Sequence, residues 1–93
     1  MTILRPSIIQ SCYSDPFNGW TDTIAASGFQ ILMVVTGLLH YVHSSHDTIL
    51  DLIPCDYVSN QILVQTVYTA KEPEPRLNVV HSTVTTKNPM NMA

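Results

Sequence analysis

Charged residues are scarce in this sequence. Asp, Glu, Lys and Arg make up 12% of its 93 residues, roughly half of their share in a typical soluble domain. Only four residues are Lys or Arg, and the formal net charge is −3. Because nucleic acids are bound mainly through clustered cations, the composition excludes a nucleic-acid-binding protein. The shortage of charge is typical of a chain that lies in lipid or within a larger assembly.

Motifs for catalysis and cofactor binding are also missing. The three glycines form neither a phosphate-binding loop nor the G-x-G-x-x-G of a dinucleotide site, and G-x-S-x-G and H-E-x-x-H are absent. The two cysteines, Cys12 and Cys55, form no C-x-x-C and have no neighbouring cation to activate a thiolate. Asp47, Asp51 and Asp56 are expected to be solvated. We therefore expect no enzyme, no catalytic residue and no cofactor.

The longest distinctive segment of the sequence is a stretch without charged residues. No Asp, Glu, Lys or Arg occurs from Thr23 to Ser45. A helix needs about 20 mostly apolar residues to cross the core of a bilayer. The pattern predicts one long transmembrane helix over about 23–43, with Trp20 and Tyr41 as anchors at the two membrane interfaces.

The two faces of this predicted helix differ. One face carries strongly apolar residues at helical spacing and is expected to face lipid: Ile24, Ile31, Leu32, Val35, Leu38, Leu39 and Val42. The other face is small and mildly polar, which is typical of helix–helix contacts in lipid. Its members are Ala26, Gln30, Met33, Gly37 and His40. The expected partners are therefore membrane lipid and other membrane-protein subunits.

The segments on either side of the predicted helix lack long periodic patterns. Residues 1–22 are expected to be irregular, with a turn at 15–19 in which Asn18 and Gly19 supply positive φ. Residues 44–60 are expected to be a connection with a short helical turn, which Pro54 ends.

The C-terminal third has the composition of strands. Residues 61–68 and 77–86 are rich in β-branched and aromatic side chains, which predicts a short β-hairpin within 61–87. Residues 88–93 are expected to form a disordered tail. The predicted fold is thus mainly α, with one long helix and a small hairpin.

Histidines at the end of the predicted helix are weak candidates for metal binding. His40, His43 and His46 recur every three residues and are followed by Asp47, and imidazole and carboxylate can ligate zinc or copper. Three histidines at this spacing spread around the helix, so the preferred interpretation is a polar helix end at the headgroup level. No metal is expected.

Three functional hypotheses follow. The first is a non-catalytic, single-pass membrane protein that acts as a small accessory or assembly subunit of a larger complex, in an organellar inner membrane or a host endomembrane. The second is a small viral accessory or movement-type membrane protein. The third is a soluble α+β protein-interaction domain. A spanning helix would separate Cys12 from Cys55, whereas a soluble domain would allow them to meet.

Overall fold

A computed structural model describes residues 1–24, 27–45, 47–74, 76–84 and 90–91. In chain order its elements are β1 (Thr2–Pro6), β2 (Ile8–Gln10), α1 (Ser27–Val35), β3 (Ile49–Leu50), β4 (Leu52–Pro54), α2 (Cys55–Lys71), β5 (Asn78–Ser82) and β6 (Met90–Asn91). Strands and helices alternate, and the longer strand pairs are parallel. The fold is therefore α/β, and the prediction of a mainly α chain is wrong.

Two parallel strand pairs meet at Ser7. β1 pairs with β5, β2 pairs with β4, and β3 and β6 form a short antiparallel pair. The N–H of Ser7 donates to the carbonyl of Ser82 (3.0 Å), and the N–H of Ile8 donates to that of Asp51 (3.2 Å). Successive N–H groups of an extended chain point to opposite edges. β1 and β2 therefore act as one strand whose neighbour changes from β5 to β4 at Ser7.

The predicted β-hairpin is wrong because its first half is helical. Residues 61–68 lie inside α2, and β5 pairs with β1 rather than with residues 61–68. Part of the second half, 85–86, lies outside the described residues. The apolar residues of 61–68 are themselves exposed. α2 contacts the rest of the chain through residues on either side of them, since Val58 is buried and the hydroxyls of Thr69 and Thr2 form a hydrogen bond. A crossover helix is also what a parallel pair requires.

The predicted transmembrane helix is wrong because the helix ends early. α1 covers only Ser27–Val35. Gly37 adopts a φ of +72°, its N–H donates to the carbonyl of Val34 (3.0 Å), and the N–H of Leu38 donates to that of Met33 (2.9 Å). These two bonds form a Schellman motif, which closes a helix at a left-handed residue. Within the described residues, no helix has both the length and the apolarity to cross a bilayer.

Two glycine substitutions should have opposite effects on stability. Gly37→Ala is expected to lower the free energy of unfolding by about 1–2 kcal/mol, because a left-handed φ is costly for a residue with a Cβ. Gly28→Ala is expected to raise it by up to about 1 kcal/mol, since its Cβ would meet nothing closer than the Thr23 carbonyl at 4.0 Å. Urea denaturation of both variants measures the difference, and effects of the same sign would contradict the helix end assigned here.

The flanking segments also differ from expectation. Thr2–Pro6 and Ile8–Gln10, which lie in the segment expected to be irregular, form β1 and β2. A helical turn was expected within 44–60, before Pro54. The structure has β3 and β4 at this place, and the helix begins after Pro54. This is consistent with the preference of proline for the start of a helix. The predicted disordered tail lies outside the described residues except for Met90–Asn91, which form β6.

The buried residues cluster around β4 and the start of α2. Among the described residues, the buried apolar side chains are those of Cys12, Ile53 and Val58, and the buried polar ones are those of Asp56 and Ser82. Four of these five lie in the loop after β2, in β4 or in the first turns of α2. The core therefore lies next to the carboxyl ends of β2 and β4.

Candidate functional site

A cleft of about 450 Å³ opens at the carboxyl ends of β2 and β4. Gln10 and Pro54 are register partners, so the chain leaves both strands at the same edge. In open parallel α/β sheets, ligands bind at this edge. The lining comes from β2, the following loop, α1 and the first residue of α2: Ile9, Gln10, Ser11, Gly19, Thr21, Asp22, Thr23, Ser27, Gly28, Ile31 and Cys55.

Asp56 fastens the loop after β2 to α2. Its Oδ1 accepts the N–H of Tyr13 (3.1 Å), and its Oδ2 accepts the N–H groups of Ser14 (3.0 Å) and Asp15 (3.4 Å). Asp56 lies in the first turn of α2, where a negative charge is favourable. The rings of Tyr13 and Tyr57 make a second contact, with centroids 5.9 Å apart. These contacts fix the loop whose neighbouring residues line the cleft.

The hydrogen bonds to Asp56 determine its charge. Burial opposes ionisation of this carboxyl and is the largest single influence on it. The backbone N–H groups of Tyr13, Ser14 and Asp15, together with its own, outweigh burial and hold the pKa of Asp56 below its usual value. Asp56 is therefore ionised at neutral pH and serves as an anchor rather than as a proton donor.

The loop itself is closed by backbone hydrogen bonds. The N–H of Cys12 donates to the carbonyl of Trp20 (2.8 Å), and the N–H of Gly19 donates to that of Cys12 (2.9 Å). Gly19 has a φ of +81°, which confirms the turn predicted at 15–19. Trp20 is half-buried in this loop and Tyr41 lies exposed beyond α1. Their role as membrane anchors stays a prediction.

The two cysteine thiols meet behind the cleft. Their Sγ atoms are 2.6 Å apart, although 43 residues separate them in the chain. Cys12 is buried, and Cys55 is half-buried in the cleft wall. The hydrogen bond to Cys55, then burial and the charges of Cys55 and Asp56, raise the pKa of Cys12 to about 11. Of the three hypotheses drawn from the sequence, only the soluble domain allowed these two thiols to meet.

A second cleft lies along α1 and the residues that follow it. It has a volume of about 250 Å³ and is lined by Gln30, Ile31, Val34, Val35, Leu39 and Val42. Ile31 lines both clefts, and the two together form the apolar groove. Asp22, at the first cleft, is its one charged lining residue among the described ones. The apolar stripe that predicted a lipid-facing helix thus contributes to this groove.

The residues predicted to face a partner helix do not share one helix. Gln30 and Met33 lie on α1, Gly37 ends it, and His40 follows outside it. Ala26 lies outside the described residues. Their contact with other subunits stays a prediction.

The weak metal candidates lie beyond α1 without forming a cluster. His40, His43 and Asp47 are exposed, and His46 lies outside the described residues. In the part of the chain that the structure describes, no three His, Cys, Asp or Glu side chains are grouped so that they could hold a metal ion.

Comparison with known proteins gives the family of the chain. The family model described as male sterility protein, an NAD-binding family, matches residues 1–62. Fatty acyl-CoA reductase 2 of Bos taurus and that of Homo sapiens are each 33% identical to the chain over 91 residues, and that of Mus musculus is 31% identical. Each match covers 98% of this chain and 18% of the relative. The chain therefore spans less than a fifth of the length of the curated relatives it matches.

These matches correct the functional prediction. A non-catalytic, single-pass accessory subunit is wrong, because the relatives are reductases and the family is one of enzymes. The motifs by which sequence reasoning recognises an NAD-dependent enzyme do not occur in these 93 residues, which is why the family was missed. The chain belongs to the NAD-binding family described as male sterility protein.

Proposed function

We propose that the chain supplies the acyl-binding wall of a reductase domain that acts on a fatty acyl thioester. The apolar groove is the observation that carries this proposal. One of its parts lies at the strand ends and the other along α1, and Ile31 lines both. An acyl chain is long and uncharged, and each methylene that is buried contributes about 0.8 kcal/mol to binding. The names of the relatives supply the class of substrate.

The two parts of the groove suit the two ends of such a substrate. The residues that line the cleft at the strand ends include Thr23 and Ser27, and hydroxyl groups of this kind can donate a hydrogen bond to a thioester carbonyl. The cleft along α1 is lined mainly by aliphatic side chains, among them those of Leu39 and Val42, which follow α1 in the chain. The thioester therefore lies near β2 and the acyl tail follows α1.

The residues of this chain do not fit the dinucleotide that the family name implies. A pyrophosphate is held by closely spaced glycines at the start of a helix. Here the glycines are nine residues apart, at Gly19, Gly28 and Gly37. No Lys or Arg of the described residues lines either part of the groove. The proposed role of the chain is therefore to bind the acyl group.

An exposed face of the strand pair β1–β5 supports the proposal that the chain is part of a larger domain. Thr2 and Leu4 face α2 across a cleft, whereas Ile3 and Val79, on the other face, are exposed. Parallel sheets are normally covered on both faces. Another layer of the reductase domain would cover Ile3 and Val79.

Fluorescence of Trp20 tests the binding of acyl chains. Trp20 is the one tryptophan of the chain and lies between the cleft residues Gly19 and Thr21. Titration of the full chain with acyl-CoAs of 8, 10 and 12 carbons, below their micelle concentrations, should change its emission saturably. Each added pair of methylenes should strengthen binding about 4- to 15-fold, for half to full burial.

A matched pair of variants locates the binding site. Ile31→Asp, which places a charge in the apolar groove, should weaken binding of the 12-carbon thioester at least about tenfold. Ile62→Asp is the control, because Ile62 is comparably exposed but lies on α2 outside the groove, and it should bind normally. Affinity that is independent of acyl length, or equal losses in both variants, would exclude the groove as the acyl site.

A further inference from the structure

The thiols of Cys12 and Cys55 are placed for a covalent step. Each follows a parallel strand closely, because Cys12 is two residues after Gln10 and Cys55 comes directly after Pro54, and these two are register partners. The Sγ–Sγ separation of 2.6 Å is roughly 0.5 Å longer than a disulfide bond. The chain has no other cysteine, so neither thiol has a competing partner within the chain.

We propose that Cys12 and Cys55 form a site of reversible oxidation, at which a low-molecular-weight disulfide such as oxidised glutathione converts the two thiols into an intramolecular disulfide. The proposal does not rest on the acyl-binding role, although Cys55 lines the cleft that is assigned to the thioester. It joins the loop after β2 to the first residue of α2, beside the Asp56 anchor.

The difference in exposure between the two thiols sets the order of the steps. Cys55 lines the cleft, whereas Cys12 is buried behind it with 5% of its surface exposed. The Cys55 thiolate attacks one sulfur of the oxidant, the S–S bond of the oxidant breaks, and one thiol leaves with a proton. Cys12 then loses its proton, attacks the Cys55 sulfur and displaces the second thiol. Two electrons and two protons pass from the protein to two product thiols.

The hydrogen bond between the thiols explains why Cys12 reacts second. It is the largest cause that raises the pKa of Cys12 to about 11, and a thiol that stays protonated is a poor nucleophile. Once Cys55 is bound in a mixed disulfide, its thiol no longer shares that hydrogen bond. Cys12 then lies next to the sulfur that it attacks.

The test uses the full chain, reduced under nitrogen and then incubated with mixtures of reduced and oxidised glutathione. Labelling with a maleimide after acid quench and unfolding counts the free thiols, and intact mass identifies the product. We expect a monomer that loses both free thiols and about 2 Da, and regains both thiols with dithiothreitol. A stable glutathione adduct, or a disulfide only between two chains, would overturn the proposal.

Single-cysteine variants test the order of the steps. Cys12→Ser should stop at one glutathione on Cys55, and Cys55→Ser should react with glutathione disulfide at least about tenfold more slowly, because its remaining thiol is buried. Equal rates in the two variants would refute the order. The wild-type chain unfolded in concentrated urea supplies a control for proximity. If it forms the intramolecular disulfide as readily as the folded chain, the fold does not create the site.

Discussion

Replacement of Asp56 by alanine is expected to release the loop at residues 12–20 and to lower the midpoint of thermal unfolding by about 8–15 °C. The carboxylate accepts the N–H groups of Tyr13, Ser14 and Asp15. Without it, these donors lose their acceptor beside a buried part of the chain, and such losses are among the large ones for single substitutions. Hydrogen exchange of the Tyr13 and Ser14 amides should accelerate in the variant.

An exposed carboxylate provides the control for this effect. Asp47 is exposed, so Asp47→Ala should shift the midpoint by no more than about 2 °C. Equal shifts in the two variants, or unchanged exchange at Tyr13 and Ser14, would show that Asp56 does not anchor the loop.

Acid should reproduce the effect of the Asp56 substitution in the wild-type chain. The pKa of Asp56 is lowered in the folded chain, so the carboxylate contributes stability above its unfolded pKa of about 3.9, and this contribution is lost as the pH falls through the lower folded-state value. Loop protection should therefore be constant from pH 7 to about 4 and should decrease below that. Asp56→Asn should lack this acid-dependent decrease.

The sequence shows that no charged residue occurs from Thr23 to Ser45, but it does not show which environment this stretch occupies. A bilayer and an apolar groove in a folded domain both favour uncharged, apolar residues. Hydropathy therefore cannot separate the two, and the decisive feature is the helix end at Gly37. The sequence shows a glycine there, which lowers helix propensity by about 1 kcal/mol. It does not show the bonds from Gly37 to Val34 and from Leu38 to Met33 that close the helix.

The candidate site depends on contacts between distant parts of the chain. Asp56 was expected to be solvated, and it is buried because the loop after β2 folds over it. That contact follows from the pairing of Ile8–Gln10 with Leu52–Pro54. The sequence gives a local indication that the two segments are related, because both are apolar and each is followed closely by a cysteine. Sequence alone does not show that they pair in parallel, because parallel pairing depends on the crossover and on the rest of the sheet.

The second large effect is expected for Ile53, which lies in β4 opposite Ile9. Ile53→Ala should lower the free energy of unfolding by about 2–5 kcal/mol, through lost apolar burial and the cavity left behind. Ile53 is 4% exposed and is one of three buried apolar residues in the described part of the chain. Since whole domains are stable by only about 5–15 kcal/mol, this loss is a large fraction of the total stability. Urea denaturation followed by circular dichroism measures it.

Ile49→Ala tests whether the effect of Ile53→Ala comes from lost burial or simply from the loss of an isoleucine in a strand. Ile49 lies in β3, four residues before Ile53, and is 48% exposed. Ile49→Ala should therefore cost less than about 1 kcal/mol. If both variants lose the same stability, burial at β4 is not what holds the strand ends together. The apolar groove, the Asp56 anchor and the thiol pair all rest on those strand ends, so each would then need a different structural basis.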